Sequence, residues 1–166
     1  MTGPNGLVDG PDMLSVLEAK DDAATANWGD DWRMPTQQDW LDLLNETTKT
    51  WDEVNGVRGL RLTGQNGNSI FLPAAGVYGG SMHSFYSNCG NLPHGEYWSN
   101  EIDSIKPYQA YILYFEDPDY PGGGGTLPNG VVGGQIQFNN SGSINVIEFI
   151  RNQGRPVRAV YVGDKK

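Results

Sequence analysis

The period of hydrophobic and polar positions changes once along the chain. Between residues 35 and 48 apolar residues recur at helical spacing: Trp40, Leu43 and Leu44 share one face, Thr36 can cap the run, and Asp39 stands three residues on. This predicts a helix to about Thr48. A shorter helix is predicted over 21–28, where Asp21 and Asp22 lead into Ala23, Ala24 and Ala26, and Gly29 follows. Trp28, at its end, is expected to plug it into the core. From Val57 the period moves towards two, and strands are expected at 57–63, 69–74, 97–100, 110–115, 134–138 and 156–162. Helices first and strands afterwards predict an α+β fold. In the run from Tyr111 to Glu116, alternation puts Leu113 and Phe115 on one face as scaffold. Ile112, Tyr114 and Glu116 fall on the other, where they could touch a ligand.

Two intervals, 76–96 and 116–133, read as long loops, the second containing the run Gly122 to Gly125. Residues 1–12 are Gly, Pro, Asn and Asp punctuation and read as a leader or edge strand, with 13–166 as a single domain. The 23 glycines favour short strands and many turns. A net charge of −9, with Lys165 and Lys166 the one adjacent basic pair, argues against nucleic acid and anionic membrane as partners. No apolar run approaches the length of a membrane span, and the first residues lack the basic and apolar regions of a signal peptide, so the chain reads as soluble.

Candidate chemistry is sparse. No Lys-Ser or Lys-Thr follows the four glycines, as a phosphate loop would require. His83 and His94 read as surface-loop residues rather than metal ligands, and Ser81 lacks a nucleophile elbow. Cys89 reads as a small buried or half-buried thiol. Glu116, Asp117 and Asp119 could hold calcium if carbonyls completed the shell. They lack the glycine and distal glutamate of an EF-hand, and the preferred reading is a solvated acidic loop. No cofactor is expected. All eight tyrosines lie between Tyr78 and Tyr161, which suits either a recognition surface or a half-buried sheet.

Several runs then occur together in order: Asp21-Asp22-Ala23-Ala24, Asn27-Trp28-Gly29, Trp32-Arg33-Met34-Pro35-Thr36, the segment Gly67 to Gly76 containing Phe71-Leu72-Pro73-Ala74-Ala75-Gly76, Tyr97-Trp98-Ser99, and Gly154 with Pro156-Val157-Arg158. Over about residues 16–161 they resemble the Fibrobacter succinogenes major paralogous domain family. That resemblance implies a C-type lectin-like fold, with two short N-terminal helices before a small twisted, mostly antiparallel sheet with long loops. Tyr97 to Ser99, Ala110 to Phe115, Arg151, Gly154, Val157 and Arg158 are further similar to the variable segment of retroelement-diversified binding proteins. The resemblance marks Trp32, Arg33, Pro73, Trp98 and Arg158 as signature positions, read as scaffold: aromatics in the core, arginines pairing with buried backbone or acids. The family's usual opening strand has only Leu7-Val8-Asp9-Gly10 to match it. The paired cysteines of formylglycine-generating enzymes and the Glu-Pro-Asn and Trp-Asn-Asp runs of calcium-dependent lectins are absent, so neither chemistry follows from the fold.

The first functional expectation is a non-enzymatic recognition domain of a secreted or cell-surface protein. It would present Asn100, Glu101, Asp103, Tyr108, Ile112, Tyr114, Glu116, Glu148 and Asn152 to a protein or glycan. A structural or assembly module of an envelope or pilus-like protein is the alternative, and a hydrolase whose carboxylate pair no spacing marks is a third. Oligomeric state and calcium binding stay open.

Overall fold

In the computed structural model, which describes residues 14–79, 82–84, 93–117 and 144–163, the first helix begins at a buried carboxylate. Asp22 Oδ1 accepts from the Ala24 and Thr25 amides at 2.9 and 3.0 Å, capping α1 (Ala23–Trp28). Both Asp22 oxygens also accept from the Met34 amide, at 3.0 and 2.9 Å. One side chain therefore starts the helix and fastens it to the end of β1 (Trp32–Arg33). Helix α2 (Gln37–Glu46) carries the expected capping box: Thr36 Oγ1 accepts from the Asp39 amide at 3.0 Å while Asp39 accepts from the Thr36 amide at 2.7 Å.

Arg33 clamps that box, donating to both Asp39 oxygens at 2.5 and 3.2 Å and to the Met34 carbonyl at 3.0 Å. Partial burial works against the charged carboxyl, yet Arg33 and Thr36 hold it down from 3.8 to about 2. A depressed folded value makes the contribution complete above about pH 4 and lost as pH falls through about 2. With about a third of the side chain in water, screening reduces it to about 1 kcal/mol. Asp39→Asn is expected to cost that much at pH 7 and only a small part of it near pH 2. Urea denaturation of both proteins across that range checks it, and an offset that persists in full at pH 2 would assign the loss to packing.

Among the described residues, ten strands follow one another along the chain. The strands β2 (Thr47–Val54), β3 (Val57–Gly64) and β4 (Ser69–Pro73) form one antiparallel sheet in that order. Its first hairpin turns through Asn55 and Gly56, both with positive φ (52° and 78°), the backbone that an Asn-Gly pair supplies between paired strands. A short ribbon joins β5 (Val77–Gly79) to β6 (Met82–Ser84). The strands β7 (His94–Ile102), β8 (Gln109–Glu116) and β9 (Ile144–Ile150) make a second antiparallel sheet of three. Finally β10 (Val160–Tyr161) pairs with β1, setting Tyr161 opposite Trp32.

The core lies between α2 and the two larger sheets. Trp40, Leu60, Leu62, Leu72, Tyr97, Leu113, Phe115 and Val146 form one buried cluster. The Tyr97 ring stacks on Phe115 with centroids 6.0 Å apart, and its hydroxyl donates to the Pro73 carbonyl at 2.9 Å. Burial pushes that phenol well above its ordinary range.

The expected α+β class holds, with few helices and mostly antiparallel strands. Several finer expectations change. The end of the second helix is Glu46, and 47–54 is strand, because three threonines and a tryptophan face a partner across the Asn-Gly turn. The interval 76–96 contains β5, β6 and the start of β7 rather than one loop. His83 and His94 therefore stand in strands, with His94 fully buried. Strand β9 was not anticipated, and only 160–161 of the expected 156–162 is strand. Trp28 does not plug into the core: it is 59% exposed, forgoing much of the ~1.5–3 kcal/mol that burying a large apolar side chain supplies. Cys89, the four-glycine run, the expected strand at 134–138 and the opening Leu7 to Gly10 lie outside the described residues. Among the described residues, no helix is long and apolar enough to cross a membrane.

Candidate functional site

The turn from β7 to β8 is short, braced and apolar at its tip. The Asp103 carboxylate accepts from the Ile105 amide at 2.7 Å, the Asp103 amide donates to the Gln109 carbonyl at 3.1 Å, and the Gln109 amide donates to the Lys106 carbonyl at 2.8 Å. The Ile105 N–H holds the Asp103 carboxyl below its ordinary range. Lys106 reaches across to Glu148 on β9 at 3.2 Å, and that carboxylate raises the lysine. The Arg151 amide donates to the Tyr108 carbonyl at 3.1 Å, which fastens the exit of β9 to the same turn. On this frame Ile105 is 86% exposed and Tyr108 61%, with Ile150 and Asn152 exposed beside them in the fold.

The other end of the sheet is different. On its outer face the cross-strand pairs His94–Glu116, Glu96–Tyr114 and Tyr114–Asn145 place five polar side chains side by side, and all five are buried. Tyr114 donates to Glu116 Oε2 at 2.6 Å. Arg155 donates to Glu96 Oε2 at 2.5 Å, and His94 Nε2 lies 3.4 Å from the other Glu96 oxygen, beyond a good hydrogen bond. Burial opposes the Glu96 charge, but His94 and Arg155 keep its carboxyl below the usual range. The Arg155 guanidinium also lies 4.5 Å over the Trp98 ring and 4.7 Å over Phe149, so it joins the polar pairs to the apolar group of Ile112, Tyr114 and Ile147.

The nine expected ligand-facing residues thus divide. Tyr108 and Asn152 are exposed, and Glu101 and Glu148 are half-buried. Asp103 is buried as the brace of the exposed turn. Glu101 accepts from the Gln37 amide at 2.5 Å and so supports the start of α2, while the Asn100 amide donates to the Pro35 carbonyl at 2.8 Å. Asn100 is buried, and Ile112, Tyr114 and Glu116 are buried as well, at 0%, 3% and 8% exposure. Alternation separates two faces correctly but cannot say that both are covered, and here they are. The reading of 116–117 as a solvated loop is corrected likewise: Asp117 is fully buried and ion-paired to Arg58 at 2.5 Å. Asp119 lies outside the described residues, and among those described no three His, Cys, Asp or Glu side chains converge as a metal site.

Ile105 and Lys106 were missed by sequence reasoning, although the Asp103-Ser104-Ile105-Lys106-Pro107 run between two strands is a turn signal with an isolated isoleucine inside it. Trp32 and Arg158, expected as core and ion-pair residues, instead line a groove with Trp28. No protein-family model, curated protein or solved structure matches the chain.

Proposed function

We propose that this is a non-enzymatic recognition domain of a secreted or cell-surface protein, built on the C-type lectin-like scaffold of the Fibrobacter succinogenes major paralogous family. The ordered motif runs from Asp21 to Arg158 support the family reading, and two N-terminal helices followed by antiparallel strands support the scaffold. The observation that carries recognition is the braced β7–β8 turn, which holds Ile105 and Tyr108 in water although both are apolar enough to bury. Tyrosine offers rigid amphipathic contact area, and an isoleucine with no hydrogen-bonding capacity favours a protein surface over a glycan. The carboxylates nearest to histidine are buried and engaged with Arg155 and Tyr114, which supports a scaffold role for them over hydrolysis.

The test is a screen of the whole chain on protein and glycan arrays, with calcium and with chelator, followed by Tyr108→Ala and Ile105→Ser. Each variant is expected to weaken the hit by about tenfold or more with an unchanged melting temperature, as for a central contact residue. Affinity unchanged in both variants would overturn the reading. Loss of self-association in sedimentation, with no array hit, would assign the same turn to subunit contact and favour the assembly module.

A further inference from the structure

Three aromatic rings stand together where β1 pairs with β10. Gly29 ends α1 with φ 88°, the Trp32 amide donates back to the Gly29 carbonyl at 3.0 Å, and pairing of β1 with β10 brings Tyr161 opposite Trp32. Trp28 and Trp32 meet edge to face with centroids 5.8 Å apart, and Trp32 and Tyr161 do so at 5.1 Å. These contacts orient the rings without burying them, for Trp28 is 59% and Tyr161 52% exposed. Trp28, Trp32, Val157, Arg158 and Ala159 line a groove of about 620 Å³, a size ordinary for a small-ligand site.

Arg158 is the one ionisable residue in that lining. Arg33, Arg58, Arg61 and Arg155 are each tied to a carboxylate, whereas Arg158 is exposed and enters no ion pair among the described residues. Asp30 and Asp31 follow Gly29 in sequence but do not line the groove. The Asp31 carboxyl lies instead beside Gly163, 2.8 Å from where a Cβ on that glycine would stand. Aromatic walls with a single guanidinium suit a ligand that has an apolar ring face to lay on an indole and an anionic substituent to meet Arg158. A cationic group would meet like charge there, and a purely apolar segment would leave the guanidinium without use.

We propose that this groove binds an acidic sugar, with the C–H face of the ring on the exposed Trp28 indole, its edge against Trp32, and the carboxylate on Arg158. The site is separate from the sheet-end turn and does not rest on the reading of that turn.

Tryptophan emission of the whole chain is followed while digalacturonate, 3′-sialyllactose or neutral maltose is added. A saturable change with one or both acidic sugars is expected, with affinity reduced about tenfold or more in Trp28→Ala and in Arg158→Gln, and partly kept in Arg158→Lys. Both positions are solvent-exposed, so circular dichroism should match the parent. Tyr108→Ala should leave the titration unchanged, which separates this site from the other. Uronate binding alone places the carboxylate on a plain pyranose, and sialoside binding alone places it on the branched sugar acid. No saturable change at millimolar sugar, equal binding of maltose, or full affinity in Trp28→Ala would overturn the proposal.

Discussion

Arg155→Ala is expected to lower the stability of the domain by about 3–5 kcal/mol, the cost of removing one partner from a buried ion pair. The guanidinium holds four things at once: Glu96 at 2.5 Å, the Ile150 carbonyl at 3.0 Å, Gln153 at 2.8 Å, and the facing rings of Trp98 and Phe149. Alanine leaves Glu96, 4% exposed, with its charge largely uncompensated. In the parent, the Glu96 carboxyl is depressed despite burial, so its contribution is present above the ordinary carboxylate range and lost as pH falls through the folded value. Without Arg155 only His94 is left to oppose burial, so the folded value rises and the stability gained on ionising Glu96 shrinks. Thermal melts at pH 5 and pH 8 read both effects, with a fall in Tm of roughly 6–20 °C at neutral pH for a domain of this size. Combining Arg155→Met with Glu96→Leu should recover much of the loss, since an apolar pair leaves no buried charge. A single-variant cost below about 1 kcal/mol would mean that water reaches Glu96.

What could be read in the sequence was mostly what local chemistry decides. The Trp32-Arg33-Met34-Pro35-Thr36 run works as one device: the Met34 amide meets Asp22, the Pro35 carbonyl meets Asn100, Arg33 clamps Asp39 and Thr36 caps α2. The Arg33 and Thr36 contacts to Asp39 lie within six residues and leave a signature in spacing. The strand over Ser69 to Pro73 was legible in the same way, from its local apolar run, and Leu72 within it is fully buried. What failed was decided at long range. Whether the outer face of β8 meets water depends on what is laid over it, and nothing in the run from Tyr111 to Glu116 encodes that. The expected loop over 76–96 includes His94 and Glu96, yet Gly95 between them is a packing requirement of the paired strand. Trp28, expected to plug its helix into the core, instead lines a groove beside Trp32, whose β1–β10 partner Tyr161 is more than a hundred positions away.

Gly95→Ala tests that packing requirement, and it is expected to destabilise by about 3 kcal/mol, the upper part of the range for overpacking a core. Gly95 faces Phe115 across the β7–β8 ladder, and a Cβ there would run into the Phe115 ring at Cζ, Cε1 and Cε2. The ring has no easy retreat, since it stacks on Tyr97 and meets Trp51 edge-on at 5.8 Å, and it is fully buried. Phe115 thus occupies space that only a missing side chain leaves open. Phe115→Leu should therefore cost less in the Gly95→Ala background than in the parent, with a coupling energy of about 1 kcal/mol or more from urea denaturation of the four proteins. Gly56 supplies the contrast. Nothing lies within 4 Å of its would-be Cβ, but its φ of 78° is left-handed, so Gly56→Ala should cost about 1 kcal/mol through the backbone alone and add independently to Phe115→Leu. Additivity at Gly95 as well would show that β7 shifts to make room and that the ring does not fix the register of the sheet.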